Sequence, residues 1–354
     1  MEPILTIERN FAPSASVNEH GRYRWSVVIL SSREDIATLC SSIEAALAAT
    51  RDEPAVVDVM VNGNEPLALQ AAAKFAFWPA SSSTTLRIWS LGRDKAKAWN
   101  AYVHGVWPGA EVAFFVDGYA RVEPDALGRL ADALDASETA LGAAAVPMVG
   151  RSASALRARM IAAPQINGSL YALRRGTVET IRSMGFRMPF GLYRLDGLLG
   201  SALAFGLDPQ RHPWTPGFIA VVPGASWSRQ IEHVRSTRDL VNWIGRLTRQ
   251  ALGAFEAQAI RDHLVHRQQT PATLPSTNAV FVWSWIRRNT VGALATIVRH
   301  PLSLPMLFQL RDAPDEHGLD APPTLVAVVG RSHSVTNGPV AQTSTFSVSS
   351  NLSN

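Results

Sequence analysis

In the stretch VAFFVDGYARVEPDAL, residues 112–127, an apolar run ends on a carboxylate, Asp117, and a proline-started helix follows. A run that is apolar at every position from Val112 to Val116 reads as a strand covered on both faces, and such strands belong to parallel or mixed α/β sheets. Ligands bind beyond the carboxyl ends of these strands. Asp117 therefore stands where a sheet presents chemistry, and a carboxylate there can face a ribose hydroxyl or a hard cation. Other reactive residue types are scarce or scattered. Cys40 is the single cysteine, which excludes a disulfide within the chain and a cysteine zinc site and leaves it the role of a small apolar side chain in a helix. His212, His233, His263 and His266 have no spacing that makes a ligand set.

The elements that must position Asp117 show in the alternation around it. WSVVIL (25–30), AVVDVMV (55–61) and LRIWSL (86–91) are strand-like, while 34–49, 67–77 and 94–106 have helical spacing. Strands separated by helices predict right-handed βαβ units in an open sheet. After Asp117, Pro124 starts a further helix, GAAAVPMV (142–149) is a short strand, and NGSLYALRR (167–175) leads to a helix over 176–184. The Gly/Pro-rich MGFRMPFGLYRLDG (184–197) is read as a loop that walls a site. The fold class expected is α/β: a mainly parallel mixed sheet with helices on both faces, then a helical C-terminal extension. The divisions expected are an N-terminal extension (1–24), the α/β domain (25–225), helices over 226–310, and a Ser/Thr/Asn-rich, nearly chargeless disordered tail (331–354).

With 354 residues, 47% hydrophobic and 18% charged, the chain can bury one large core or two smaller ones. Its net charge of +4 arises from 33 Lys plus Arg against 29 Asp plus Glu, without a dense basic block. No nucleic-acid partner is expected, and phosphate-bearing ligands are favoured only slightly. The start, MEPILTIERNFAPSAS, lacks the basic and apolar regions of a secretory signal. No apolar run reaches the roughly 20 residues of a spanning helix, since Arg287 and Arg288 interrupt 279–298. The expected location is the cytoplasm, with membrane association left open.

The order strand, polar turn (Ser31, Ser32), strand ending in Asn62, Gly63 and Asn64, helix bearing Lys95 and Asn100, then a strand ending on Asp117 resembles the family 2 nucleotide-sugar glycosyltransferases with the GT-A fold. The resemblance covers roughly 25–225. It implies transfer of a sugar from a nucleotide diphosphate sugar donor to an acceptor hydroxyl with inversion, in the synthesis of a polysaccharide, glycolipid or glycoconjugate. Ser31, Asn62, Lys95, Asn100, Asp117 and Tyr119 would bind the donor. Asn62-Gly63 can equally be a favourable turn and Lys95 a solvated helix residue.

In this family the strand corresponding to 112–117 ends in Asp-x-Asp, whose last carboxylate holds Mg2+ or Mn2+ on the diphosphate. Here Tyr119 replaces that carboxylate, and a phenol is a poor ligand for a hard cation. Asp117 alone holds the divalent metal, the metal is dispensable, or catalysis is lost. Asp196 falls where the family has its general base, although an Asp there also suits a helix N-terminus. Gly168 and Arg174 fall on the acceptor side, and His233 on a metal histidine. The segment 279–310, with Trp283, Trp285, Arg287, Arg288, Leu294, Ile297 and Phe308, either lies in a membrane interface beside a lipid-linked acceptor or packs on the catalytic domain. Two other readings stand beside transfer. A nucleotidyltransferase would carry a glycine-rich loop where SSRED (31–35) has none; a catalytically silent sugar-nucleotide binder would explain Tyr119.

Overall fold

The computed structural model describes residues 23–50, 53–78, 83–150, 153–229, 237–310 and 321–330. His233, most of the 1–24 extension and the 331–354 tail lie outside the described residues.

The N-terminal half alternates strictly: β1 (Trp25–Ser31), α1 (Ile36–Thr50), β2 (Ala55–Asn62), α2 (Glu65–Phe75), β3 (Thr84–Leu91), α3 (Lys95–Ala101) with a π-helical turn to Val106, and β4 (Val112–Asp117). Then come β5 (Arg121–Val122), α4 (Ala126–Asp135), β6 (Gly142–Pro147), α5 (Ala153–Ala162), β7 (Leu170–Arg174), α6 (Arg175–Ser183), α7 (Leu195–Ala204) and β8 (Ile219–Ser228). The helices α8 (Thr237–Arg261), α9 (Asn278–Arg288), α10 (Thr290–Arg299) and α11 (Ser303–Leu310) precede the last strand, β9 (Thr324–Val329).

All the strands join one sheet in the order β5-β8-β6-β7-β4-β1-β2-β3-β9. The central set β3-β2-β1-β4 is parallel, as is β6 with β8; β7 runs antiparallel to both β4 and β6, and β9 antiparallel to β3. The chain builds outward from β1 through β2 to β3 and then returns to place β4 on β1's other side. That reversal is the topological switch point at which open α/β sheets bind ligands, and the register aligns Leu30 with Asp117 across it.

The apolar runs are continuous because helices cover both faces. Phe114, Val27 and Val59 pack on the side of α1, α2 and α4, while Phe115, Val28 and Met60 pack with residues of α3, α7 and α9. Successive side chains alternate between these two cores. Phe115 stacks on Tyr171 at 4.7 Å between ring centroids, and Trp99 donates its indole N–H to the Tyr171 hydroxyl at 2.9 Å. The long aromatic side chains thereby fix α3 on the sheet.

The strands β8 and β9 have no counterpart in the sequence reading. In β8 the pair Pro223-Gly224 breaks the alternation, and its middle is exposed. The β9 run TLVAVV lies between Pro322-Pro323 and Gly330 and is a strand signal in itself. A buried carboxylate also escaped the pattern: Asp58, fully buried in β2, accepts from Arg87 Nε at 2.8 Å, Arg87 Nη2 at 3.0 Å and Trp89 Nε1 at 2.7 Å. A buried charge is tolerable when it is paired and hydrogen-bonded in this way.

Candidate active site

Three of the expected site residues meet at the carboxyl end of β4. Asp117, 6% exposed, forms an ion pair through Oδ1 with Lys95 Nζ at the start of α3, and its Oδ2 accepts the Tyr119 hydroxyl at 2.8 Å. The Tyr119 oxygen also lies 3.3 Å from Ser169 Oγ. Asp196, in the first turn of α7, is the third. A Cβ built on Gly168 would stand 3.6 Å from Lys95 Nζ, 3.7 Å from Asp117 Oδ2 and 3.8 Å from Asp196 Cβ. Gly168 is therefore the point around which Lys95, Asp117 and Asp196 converge, with room there for a methyl group in ordinary contact.

The charges in this group depend on one another. Burial pushes the Asp117 carboxyl up, against the pull of Lys95 and the Tyr119 hydrogen bond, and the Asp196 charge pushes it further. Burial works against the Lys95 ammonium, but the Asp117 charge and hydrogen bond, with help from Asp196, leave it raised above the usual lysine range. Burial and the Asp117 charge hold the Tyr119 phenol far above its ordinary range, so it stays a donor. The result is a fixed ammonium beside Gly168, with the Asp196 carboxylate as its second neighbour there.

Asp196 is not the cap of its helix. Arg194 occupies that position, and Asp196 sits in the first turn with Oδ1 accepting the Gly197 amide at 2.9 Å and Oδ2 accepting the Gly168 amide at 3.4 Å. The loop before it is fastened at several points. Asn100 clamps Met188, donating to its carbonyl at 2.9 Å and accepting its amide at 2.8 Å. Asp94 caps α3 and also accepts the Gly191 amide at 2.9 Å. Glu256, fully buried on α8, accepts the amides of Tyr193 at 3.0 Å and Arg194 at 2.9 Å and the carboxamide of Asn278 at 2.6 Å. Burial, opposed by these donors, pushes Glu256 up to about 7.

Other expected residues hold the frame. Asn62 donates to the Ser31 carbonyl at 2.6 Å and accepts the Asp94 amide at 3.3 Å, which stitches the ends of β1 and β2 to α3. Ser31 Oγ donates to Glu34 at 2.8 Å, and the same Glu34 oxygen accepts the amides of Ser32 and Arg33 at 2.7 and 3.0 Å. The β1 and β4 ends approach so closely that a Cβ on Gly118 would lie 2.8 Å from that of Ser31, a distance that only glycine permits.

Arg174 belongs elsewhere. It pairs with Val112, at the end of β4 opposite Asp117, and its guanidinium donates to the carbonyls of Leu134, in the last turn of α4, and Ser137, just beyond it. The antiparallel course of β7 sends its basic end away from the site, so Arg174 closes a helix terminus instead of reaching the acceptor side.

The metal expectation meets a plain obstacle. Among the described residues no group of three or more His, Cys, Asp or Glu gathers in a way that could hold a metal ion. Both Asp117 oxygens are engaged by Lys95 and Tyr119, so the residues present do not fit a divalent ion at Asp117. A cavity of about 630 Å³ lies nearby, between α3, the 185–190 loop and residues 272–276 and 321–323, with Lys97, Asn100 and Arg187 in its wall. Lys95, Asp117 and Asp196 do not line it.

Asp94 and Glu256 were not anticipated. Asp94 carried a readable signal, an Asp directly before a helix; Glu256 carried none, because its partners are two backbone amides of a distant loop and the side chain of Asn278, all far from it in sequence.

No protein-family model matches the chain, and no curated protein matches it. Solved structures similar to it include a mannosyltransferase from Pyrobaculum calidifontis in complex with GDP-Man and Mn2+, at 16% identity over 83% of each chain with a TM-score of 0.48. Glucosyl-3-phosphoglycerate synthase from Mycobacterium tuberculosis, with Mn2+, UDP-glucose and phosphoglyceric acid, is 15% identical over 68% of this chain and 79% of that one, with a TM-score of 0.40. TarS from S. aureus in complex with UDP-GlcNAc is 12% identical over 75% of this chain and 72% of that one, with a TM-score of 0.42. These overlaps are loose, and the chemistry of this chain rests on its own residues.

Proposed function

We propose that the chain is an inverting glycosyltransferase that moves a sugar from a nucleotide diphosphate sugar to an acceptor hydroxyl. The observation that carries this reading is the convergence of Lys95, Asp117 and Asp196 about Gly168, at the sheet's switch point. In the proposed reaction Asp196 takes the acceptor proton as the acceptor oxygen forms its bond to the anomeric carbon from one face. The bond from that carbon to the diphosphate oxygen breaks on the other face, and the diphosphate leaves with its electron pair. The Lys95 ammonium, held in place by Asp117, faces that developing charge; a preorganised cation is the largest single aid such a step can receive. Ser31 and Asn62 shape the polar turns against which the nucleotide would lie.

A second reading is favoured by the closed Asp117–Lys95–Tyr119 set: a protein that binds sugar nucleotides without turning them over. One experiment addresses both. A thermal-shift panel of UDP-, GDP- and dTDP-sugars, with and without Mn2+, finds the donor, because a ligand that binds only the folded state raises its stability. Release of nucleotide from the stabilising donor then separates transferase from silent binder. Failure of every sugar nucleotide to bind at millimolar concentration overturns both.

A further inference from the structure

The leaving group of the proposed reaction is a diphosphate with several negative charges, and Lys95 alone answers them poorly. Asp117 pairs with the Lys95 ammonium, and Asp196 and Glu34 act on it as well. One cation among three carboxylates offers a diphosphate little net attraction. Since both Asp117 oxygens are engaged and do not fit a divalent ion, the missing positive charge has to come from another side chain.

The topology brings one to the site. β8 runs parallel to β6, and β7 runs antiparallel to both β6 and β4, so Ser228 at the end of β8 lies at the same edge of the sheet as Asp117. The short β5 follows directly on the turn through Asp117 and Tyr119 and closes on β8, pairing Arg121 with Ser228. That pairing is antiparallel, so the chain beyond Ser228 heads toward Ala120 and Tyr119. The next residue is Arg229, which is exposed. Its charge reaches the Tyr119 phenol, whose hydroxyl lies 2.8 Å from Asp117 Oδ2.

Tyr119 bears on this arginine by being neutral. A carboxylate at position 119 would offset the guanidinium, whereas a phenol held far above its ordinary range leaves that charge intact. The neighbouring sequence does not cancel it either: residues 119–123 and 226–236 carry Arg121, Arg229 and Arg235 against Glu123 and Glu232. Arg121 is tied to Ser41 Oγ at 3.2 Å. A guanidinium presents paired N–H donors that match phosphate oxygens, which an ammonium does not.

We propose that Arg229 is the second cation of the donor site and, together with Lys95, holds the diphosphate without a bound metal ion. The proposal rests on the sugar-transfer reading. No bond to Arg229 forms or breaks. As the carbon–oxygen bond of the donor opens, its electron pair passes to the diphosphate oxygen, and the guanidinium hydrogen-bonds the oxygens over which that charge spreads.

The test is isothermal titration of the full chain, in EDTA, with inorganic pyrophosphate and with UDP, GDP and dTDP. Arg229→Gln should bind pyrophosphate, and whichever nucleoside diphosphate the unsubstituted chain prefers, at least about ten-fold more weakly. Arg229→Lys should recover part of the loss, because it restores the charge without the paired donors. With the donor that the unsubstituted chain turns over, kcat of Arg229→Gln should fall on the order of 10²-fold. Arg229 is exposed, so ligand-free melting should be unchanged; should it not be, Arg229→Met, which keeps the apolar stem, takes the place of the glutamine variant. Equal diphosphate binding by the variant and the unsubstituted chain overturns the proposal and leaves the sugar-transfer reading standing. Binding by the unsubstituted chain that appears only once Mn2+ is added also overturns it, since the ion then supplies the charge. No binding of pyrophosphate or of any of the three nucleoside diphosphates, with or without Mn2+, overturns that reading and the proposal together.

Discussion

The backbone amide of Gly168 donates to the Asp196 carboxylate at 3.4 Å, tying the start of β7 to the first turn of α7. Across that contact the carboxylate faces the Lys95–Asp117 pair, and this sets the first expectation. If Asp196 removes the acceptor proton, Asp196→Asn keeps the shape and one of the two amide hydrogen bonds but loses the base, so turnover should fall on the order of 10²- to 10⁴-fold. Donor affinity should hardly change. Steady-state rates together with donor-induced thermal shifts measure both, and turnover equal to that of the unsubstituted chain retires the base assignment.

Gly168 itself supplies a second expectation. The Cβ of an alanine there would make ordinary contacts at 3.6 to 3.8 Å with Lys95, Asp117 and Asp196, so Gly168→Ala should change stability by no more than about 1 kcal/mol. In the proposed reaction the methyl would nevertheless stand between Lys95 and Asp196. Turnover should drop at least about ten-fold, in keeping with the cost of small misplacements in a bound geometry. A variant that melts normally and turns over normally would show that substrate does not pass this point.

Metal removal is the third. With Lys95 and Tyr119 on the two Asp117 oxygens, the cation that faces the leaving group in the proposed reaction is the protein's own. EDTA should therefore lower turnover by less than about ten-fold, unlike a site whose charge stabilisation comes from the ion. Turnover abolished by EDTA and restored by micromolar Mn2+ would mean that the ion displaces Lys95.

Glu256 gives a pH signature. Its folded value is raised from 4.5 to about 7, so between those values the folded protein binds more protons than the unfolded chain. Stability contributed by this group is full below about 4.5 and is lost as pH rises through about 7, roughly 1–3 kcal/mol in all. Glu256→Gln should flatten that part of the profile. Urea melts at pH 5 and pH 8 compare the two proteins, and an unchanged difference between those pH values would place the proton elsewhere.

The sequence exposed the parallel core because burial on both faces leaves unbroken apolar runs: 25–30, 55–61, 86–91 and 112–116 became β1 to β4 within a residue or two. Asp117, Lys95, Gly168 and Asp196 were legible as residues, and the structure brings them together. What stayed hidden depends on direction and distance. Arg174 looked like a ligand because nothing in NGSLYALRR tells which way its strand runs, and the antiparallel course of β7 puts that end on the wrong side. Asn62 and Asn100 looked like binding residues, yet both amides are used by backbone groups that only folding brings near. Pro223-Gly224 concealed β8 by breaking its period.

The placement of β9 has a consequence for how the chain is made. It covers the outer edge of β3, yet it emerges from the ribosome only after all the C-terminal helices have been synthesised. Until then β3 presents a row of unpaired backbone donors and acceptors beside β1, β2 and β4, and an open edge of this kind recruits strands from other chains. The vulnerable species is thus the nascent polypeptide and not the finished protein. Recovery of soluble material should depend less on how stable the completed sheet is than on how promptly its last strand arrives to seal it.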